Sequence, residues 1–401
     1  MSQLNLTTDL THDRFTRLRS ITWWDQAKLS KTKALVIGAG ALGNEIVKNL
    51  ALVGVGQVVI IDRDTIELSN LSRSILFREA DLGKKKSDIA AEFARQIYPQ
   101  IQALSLPHNL LADIGAGVFR WADVIIAGLD NREARLHINR RAWKLGKPWI
   151  DGAIEQIQGL VRIFSPDLEQ QSPCYECTLT ERDWQLLAQR RSCALLSREQ
   201  MQTGHTPTTP TIASIVAGVQ VQEALKQIHG IESFASRCWQ FQGLTSESFF
   251  VDYQRNPDCA SHERFDDVIE LQTTSDELTI GELLNHAREL LGKDATLDLG
   301  IDIVTDFVCS CGRSEKLFRP LASLTETDAR CTCADRKSRE AKIVHQISGD
   351  EPFLNRSLKA LGLPPFDIIA ARQGERLIGF EISGDASTVL GELAGGGLQW
   401  K

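Results

Sequence analysis

The sequence predicts an α/β fold in which a doubly wound, mostly parallel sheet is followed by a smaller α+β domain. Three observations lead to this prediction. Short apolar runs alternate with segments of helical periodicity, a glycine-rich turn joins the first strand to the first helix, and acidic residues follow the strand ends. The chain has 401 residues, and because single cores rarely grow beyond about 250–300 residues, more than one domain is expected.

The composition excludes several classes of protein. Hydrophobic residues make up 42% of the chain and the formal charge is −7, so the chain can form a sizeable core and a nucleic acid gains little electrostatic attraction. No apolar run approaches the ~18 residues of a membrane span. The nine cysteines include CxxC and CxC pairs, which suit metals in a reducing compartment. We expect a cytoplasmic protein with neither a nucleic-acid nor a membrane partner.

The first element of the sheet is a strand, a glycine turn and a helix. Residues 34–37 are apolar, the turn contains Gly38, Gly40 and Gly43, and residues 44–53 have helical periodicity. The first glycine allows the tight turn, the second lets a phosphate approach the backbone, and the third lets helix pack on strand. A nucleotide is the expected ligand.

The next residues distinguish between nucleotides. A second strand, 58–61, ends at Asp62, where a carboxylate can bind ribose hydroxyls of either NAD or ATP. Further polar residues favour ATP, because cations offset triphosphate charge and a carboxylate holds Mg²⁺, whereas a nicotinamide ring needs no cluster of cations. These residues are Asp64, Asn70, Arg73, Lys86 and Asp130.

The combination of motifs resembles a known family. The run DRDTIELSNLSR, with GAGALG before it and GLDN after it, is similar to the ThiF/MoeB/HesA superfamily, which includes the activating enzymes of ubiquitin and ubiquitin-like proteins. The resemblance covers residues 14–262. It implies a Rossmann-like fold and adenylation of the C-terminal glycine of a small ubiquitin-like protein, with ATP and Mg²⁺ as cofactors.

The resemblance also implies roles for the polar residues. Asp62 holds the ribose and Asn70 orients the phosphates. Asp130 binds Mg²⁺, while Arg73 and Lys86 offset the charge that develops on phosphorus. The family usually has a glutamine after the arginine, and Ser74 stands there instead, which leaves one implied phosphate contact unsupported.

Residues 1–30 are predicted to form a helical N-terminal arm. Arginines in such a segment usually form a solvated face. The run Arg14-Phe15-Thr16-Arg17 matches the Arg-x-x-Arg of the family, whose second arginine reaches the ATP of the neighbouring subunit. By this resemblance Arg17 is an arginine finger and the protein is a homodimer.

Two groups of cysteines are candidate zinc sites. Cys174-x-x-Cys177 alone is compatible with a redox pair or half of a zinc site. Cys259-x-x-His262 occurs where the family generally carries a second CxxC, so we expect a closed, structural Cys₃His zinc site. The second group can be a zinc ribbon or free buried thiols, and it contains Cys309, Cys311, Cys331 and Cys333.

One further cysteine is a candidate nucleophile. In the family, the segment after the first CxxC crosses the active site and carries the cysteine that accepts the activated modifier. Cys193 is the thiol of that segment here, and Arg190 and Arg191 favour its thiolate form, although these arginines are equally compatible with a solvated loop. Cys238 alternates with polar residues in a predicted strand and is interpreted as core.

The predicted boundaries are an arm 1–30, an adenylation domain 31–265 with the crossover loop and catalytic cysteine, and an α+β domain 266–401. Residues 265–277 are acidic and threonine-rich, which is typical of a linker. Beyond them the pattern predicts a helix at 279–291, strands at 301–308 and 343–347, a helix at 353–361, and a hairpin of 366–372 and 377–382.

The sequence leaves three alternative functions. The first is activation of a ubiquitin-like modifier, with a thioester on Cys193 and transfer to a conjugating enzyme. The second is adenylation of a sulfur-carrier protein for thiamine or molybdopterin-type sulfur transfer. The third is a nucleotide-binding scaffold without catalysis. The presence of both phosphate cations and a magnesium carboxylate in one chain favours an enzyme, and the additional C-terminal domain favours the first function.

Overall fold

A computed structural model describes residues 13–166, 172–192, 207–333 and 338–395. The strands are β1 Lys33–Ile37, β2 Gln57–Ile61, β3 Gln102–Leu106, β4 Val124–Gly128, β5 Trp149–Glu155, β6 Gln158–Phe164, β7 Arg237–Gln242, β8 Glu247–Asp252, β9 Asp267–Leu271, β10 Thr296–Val308, β11 Ser314–Pro320, β12 Glu340–Ile347, β13 Ile368–Gln373 and β14 Arg376–Ile382. The α-helices are α1 Gln26–Leu29, α2 Ala41–Val53, α3 Lys86–Ile97, α4 Ala116–Trp121, α5 Arg132–Lys144, α6 Glu181–Ser192, α7 Pro210–His229, α8 Ile280–Leu291, α9 Glu326–Ala329 and α10 Ala386–Leu390.

The first sheet has eight strands in the order β3-β2-β1-β4-β5-β6-β7-β8. The first five strands in this order, from β3 through β1 to β5, are mutually parallel. The remaining strands, β6, β7 and β8, pair antiparallel with their neighbours. The strand order reverses direction between β1 and β4, and such a switch point places ligands at the carboxyl ends of the neighbouring strands. The predicted doubly wound, mostly parallel sheet is confirmed.

Helices cover both faces of this sheet. Val36 and Ile60 belong to the core shared with α2, α3 and α7, whereas Leu35 and Ile37 belong to the core shared with α4 and α5. Strands buried on both faces are apolar throughout, which is why the sequence revealed them. No helix in the described part of the chain is long and apolar enough to cross a membrane.

The second sheet contains β11-β10-β13-β14-β9, and β12 also pairs with β10. It confirms the expected second α+β unit, but two local predictions were wrong. The supposed linker contains β9, which pairs in parallel with β14. Residues 353–361 form only a short 3₁₀ turn, Lys359–Leu361, because the carbonyls of Leu354 and Arg356 accept hydrogen bonds from the amides that begin α8.

The second sheet forms an apolar core of its own with α8, and residues beside it also join the core of the first sheet. Phe366, next to β13, lies in the cluster that covers the first sheet, and its carbonyl accepts from the Gly117 amide of α4 at 2.9 Å. The Asp367 carboxylate accepts from the Ala116 amide at 2.6 Å and from Arg141 of α5 at 2.7 Å. The predicted boundary near residue 265 therefore separates two sheets whose packing is continuous. The resulting layers are helices, sheet, helices, sheet and the helix α8.

Candidate nucleotide site and cysteine clusters

The glycine turn closes tightly against the end of β4. Gly38 has a φ of +94°, and a Cβ added there would lie 2.6 Å from the Gly128 carbonyl oxygen. A Cβ at Gly43 would lie 1.9 Å from the Gly38 carbonyl oxygen, so helix and strand approach too closely for a side chain. At Gly40, the residue before α2, no atom lies within 4 Å of the added Cβ. The turn thus leaves open space at the amino end of a helix, where an anion is stabilised.

Asn44 holds this turn in place. It is fully buried in α2, and its Nδ2 donates to the carbonyls of Ala39 and Gly40 at 2.8 and 3.0 Å. Its Oδ1 accepts from the Leu76 amide at 2.9 Å, which ties the turn to the loop that carries Arg73. The sequence analysis missed Asn44. An amide on the buried face of a helix was the available signal, because such a group requires partners.

Asp62 is fixed at the end of β2. Its two carboxylate oxygens accept from the amides of Ala39 at 2.7 Å and Asp64 at 2.8 Å. Burial raises the pKa of Asp62, and the positive charge of Lys86 partly opposes that shift. The carboxylate is therefore oriented before any ligand binds.

The cationic and amide residues lie on the loop after β2 and at the start of α3. Lys86 forms an ion pair with Asp64 at 3.1 Å. Arg73 donates to the Ser69 carbonyl at 2.7 Å. Asn70 is buried, and its Oδ1 accepts from the Glu67 amide at 3.0 Å. This hydrogen bond fixes the loop conformation. Within the described residues, the Nδ2 of Asn70 has no protein acceptor.

A buried ionic network supports the end of β4. Asp151 is fully buried and accepts from Arg135 at 2.8 Å and Arg162 at 2.9 Å. Arg135 also donates to the carbonyls of Leu129 and Gly152. Burial alone would lower the pKa of Arg162, but the charge of Asp151 raises it above its ordinary value. The sequence carried no signal for this network, because its members lie on α5, β5 and β6 and meet only through tertiary packing.

Asp130 follows directly after this supported segment. It is exposed, and no hydrogen bond or ion pair engages its side chain among the residues that the structure describes. The adjacent Asn131 caps α5 by accepting from the Ala134 amide at 2.8 Å. Because β1, β2 and β4 are parallel neighbours, the glycine turn, Asp62 and Asp130 occupy one edge of the sheet.

Arg17 does not lie at that edge of its own chain. Within its described residues, 13–30, the arm contains a 3₁₀ turn, Leu18–Ser20, and the one-turn helix α1, which is less helix than expected there. Phe15 of the arm packs against Gly54, where α2 ends, and α2 has 13 residues, or about 20 Å. Arg17 is exposed, with no side-chain partner within the described residues. The arm is therefore anchored at the end of α2 opposite the glycine turn.

The first cysteine cluster has the spacing of a tetrahedral metal site. The ligand atoms of Cys174, Cys177, Cys259 and His262 all lie within 4.8 Å of one another. The Cys174–Cys259 sulfurs are 3.5 Å apart, the Cys174–Cys177 sulfurs 3.8 Å apart, and Cys177 Sγ is 3.2 Å from His262 Nε2. With Zn–S bonds of about 2.3 Å, a tetrahedron has sulfur–sulfur edges of about 3.8 Å. These residues fit zinc.

The second cluster contains Cys309, Cys311, Cys331 and Cys333, whose sulfurs also lie within 4.8 Å of one another.

Cys193, the candidate nucleophile, lies outside the described residues. Helix α6, which ends just before it, is anchored by an ion pair of 2.8 Å between Arg132 and Asp183. Cys238 is fully buried, which confirms its assignment to the core.

A family model described as the ThiF family matches residues 12–261, more than half of the chain. The chain belongs to the ThiF family. The matched region contains β1 to β8, the glycine turn and the first three ligands of the first cluster. The second sheet and the second cluster lie beyond it.

Several relatives in the ThiF family are activating enzymes or adenylyltransferases by name. The NEDD8-activating enzyme E1 catalytic subunit of Caenorhabditis elegans is 42% identical over 165 residues, which is 38% of this chain and 37% of that protein. The sulfur carrier protein adenylyltransferase of Thermus thermophilus is 29% identical over 237 residues, 58% of this chain and 83% of that protein. The match thus spans little more than a third of the first relative and most of the second.

Solved structures give the same result for the fold. Escherichia coli MccB crystallised with ATP superimposes with a TM-score of 0.52 at 19% identity, over 64% of this chain and 75% of that one. At this identity the likeness establishes a common fold. It agrees with the ThiF-type sheet described above.

Proposed function

We propose that this ThiF protein uses ATP to adenylate the C-terminal glycine of a small ubiquitin-like protein. The carboxylate oxygen attacks the α-phosphorus, the bond to the β-phosphate oxygen breaks, and pyrophosphate leaves. The observation that carries the proposal is the convergence of the glycine turn, the oriented Asp62 carboxylate, the Lys86 and Arg73 cations and exposed Asp130 in one chain. A scaffold without catalysis would need no such combination.

The residues fit Mg²⁺ as well as ATP. A carboxylate with no protein partner at the carboxyl edge of a parallel sheet suits a hard cation, and Asp130 would hold it. The ion would offset negative charge on the phosphates. Asp62 would accept from the ribose hydroxyls, and Lys86 would exchange its pairing with Asp64 for the phosphates.

Arg17 supports a homodimer in the proposed reaction. The arm is anchored about 20 Å from the glycine turn of its own chain, the length of α2. An exposed arginine at that position is suited to another subunit. We propose that Arg17 stabilises phosphoryl charge in the neighbouring site.

Cys193 is the proposed acceptor of the activated carboxyl group. Its thiolate would attack the acyl-adenylate, so that a C–S bond forms, the C–O bond to phosphate breaks and AMP leaves. The thioester would then pass to a conjugating enzyme. Adenylation of a sulfur-carrier protein is the second candidate, and it is favoured by the T. thermophilus relative, of which the match covers 83%.

The first cysteine cluster is proposed as a structural zinc site. Three thiolates and one imidazole close the tetrahedron, so no position remains to activate water. The His262 ring packs at a tilt of 35° against Trp143 of α5, with 4.9 Å between centroids, which connects the site to the core. Its thiolates are consistent with the cytoplasmic location that we propose.

Exchange of labelled pyrophosphate into ATP tests the adenylation step. Exchange should require Mg²⁺ and the small protein, and Asp130→Ala should abolish it. Asp294→Ala, at another exposed aspartate outside this edge, should exchange like wild type. Equal rates for Asp130→Ala and wild type would show that this carboxylate does not hold the metal.

Subunit mixing tests the role of Arg17. Arg17→Ala and Asp130→Ala homodimers should each be inactive, but after exchange of subunits half of the dimers contain one intact site. Activity should therefore recover to about a quarter of wild type. Failure to recover in verified heterodimers would exclude action between subunits.

The two catalytic alternatives differ in the step after adenylation. Cys193→Ala should retain pyrophosphate exchange. A modifier-activating enzyme should form a covalent adduct that survives denaturant and is cleaved by reductant, and the variant should lack it. A sulfur-carrier enzyme should instead produce a thiocarboxylate on its partner when a sulfur donor is supplied.

A further inference from the structure

The second cysteine cluster lies at the tip of the second sheet, outside the region matched by the family. Cys309 and Cys311 occupy the turn between β10 and β11, and Cys331 and Cys333 lie between α9 and β12. Cys309 and Cys331 are buried, Cys333 is half-buried and Cys311 is exposed. Four sulfurs from two separate segments thus meet at one point.

The backbone of the turn between β10 and β11 brings the thiols of Cys309 and Cys311 to the same side. Gly312 has a φ of +86°, which other residues rarely adopt. Its amide donates to the Cys309 carbonyl, and the Cys309 amide donates to the Arg313 carbonyl, both at 2.9 Å. The Cys311–Cys331 sulfur distance is 3.8 Å, close to the edge of a zinc–sulfur tetrahedron and far longer than the ~2.05 Å of a disulfide.

The surrounding core is too small to explain the order of this tip. The ribbon formed by residues 303–308 of β10 with β11 and β12 has a small apolar cluster, Val304, Phe307 and Leu324, whereas its buried Ile303 and Ile347 belong to the larger core of the second sheet. Most of β12 is exposed. Small strand assemblies of this kind usually need a metal or disulfides to fold.

We propose that Cys309, Cys311, Cys331 and Cys333 bind one zinc ion as a tetrathiolate, and that this ion fixes the ribbon. The inference goes beyond the proposed function and does not depend on it. Because all four ligands come from the protein, the site has no open position, and the role of the ion is structural.

The ribbon forms a wall of a cavity of about 500 Å³ between α5 and the second sheet. Pro320, Leu321 and His345 line it from the ribbon side, and His137 and Lys144 line it from α5. The zinc would therefore hold the outer wall of this cavity. The glycine turn, on the edge of the other sheet, would not depend on it.

Elemental analysis of the full-length protein and matched double variants tests the proposal. Wild type should contain two zinc ions per chain. Cys331→Ser/Cys333→Ser should retain one, and so should Cys174→Ser/Cys177→Ser, which alters the other cluster. Hydrogen exchange in the ribbon should accelerate at least about tenfold only in the first variant, with β1 and β2 unchanged.

A single substitution tests the same site if the double variant fails to fold. Cys311 is exposed, so Cys311→Ser disturbs no core contact and should release its zinc to a chromogenic chelator at least about tenfold faster than wild type. Iron in place of the second zinc, fewer than nine titratable thiols after denaturation without reductant, or unchanged zinc content in Cys331→Ser/Cys333→Ser would overturn the proposal.

Discussion

The two cysteine clusters present similar ligands in different surroundings. The first rests on the core of a large sheet: the His262 ring packs against Trp143, and the Tyr175 amide beside its ligands donates to buried Asn139 at 2.9 Å. The second belongs to a ribbon with very little core of its own. The same ligand chemistry can therefore add a local constraint to an already stable domain or replace a missing core. Removal of zinc tests this difference directly, and two substitutions and a pH series test the sheets that carry the clusters.

Chelation should produce the largest effect, and it should be unequal. A strong chelator is expected to remove the zinc of the second cluster first, because Cys311 is exposed while each ligand of the first cluster is buried or half-buried. Structural zinc is worth about 10–16 kcal/mol in small zinc-dependent folds, so the ribbon should lose its amide protection as this zinc leaves. Zinc release and hydrogen exchange followed together measure both events. A ribbon that stays protected without metal would remove the contrast between the clusters.

The first sheet should instead depend on its buried ionic network. Asp151→Asn would leave Arg135 and Arg162 insufficiently paired in the interior, and the free energy of unfolding should fall by about 3–5 kcal/mol. Pyrophosphate exchange should fall as well, since Arg135 supports the segment before Asp130. Denaturant unfolding measures the loss. The control Asp252→Asn breaks an exposed pair with Arg237 and should cost less than about 1 kcal/mol.

The junction between the sheets should show an intermediate effect. Asp367→Asn keeps an acceptor for the Ala116 amide but removes the charge paired with Arg141. A loss of about 1.5–3 kcal/mol in unfolding free energy is expected. Asp276→Asn, in an exposed pair with Lys359, is the matched control. If the two variants unfold alike, the Arg141–Asp367 pair does not couple the sheets.

Acidification should give the smallest effect and affect the nucleotide site before the second sheet. Burial raises the pKa of Asp62 above 3.8, and only its ionised form leaves both oxygens free to accept, from the backbone amides and from the ribose hydroxyls. ATP affinity should therefore decline as the pH falls through this raised pKa. For folding the sign is opposite, since a raised pKa contributes stability that is present below 3.8 and lost as the pH rises.

The pKa of Asp298 in the second sheet is shifted in the opposite direction, below its ordinary value. Burial would raise its pKa, but the charge of Lys144 leaves it below 3.8, so its contribution to stability is lost only as the pH falls through that lower value. ATP titration and unfolding measured between neutral pH and about pH 3.5 compare the two. Loss of the second sheet before loss of ATP binding would contradict the assignment.

The sequence predicted the first sheet well because its strands are apolar runs and its turn is marked by glycines. It placed Asp62, Asp64 and Lys86 in one site because Asp62 ends an apolar strand and the three match motifs of the family. It did not predict the Asp151 network or the bonds of Asn44, since these partners depend on tertiary pairing. The supposed linker was wrong for the same reason: β9 is a short edge strand within an acidic segment, and it is stabilised by pairing with β14.

The insertion of Phe366 and Asp367 against α4 has a consequence for how the chain unfolds and how it can be engineered. Removing everything after residue 265 would uncover apolar surface on α4 and α5, so the second sheet cannot be treated as a detachable module. Heat should melt both sheets in a single calorimetric transition, because Phe366 and the Arg141–Asp367 pair join them. The end of the chain is therefore a structural component of the part that carries the nucleotide site.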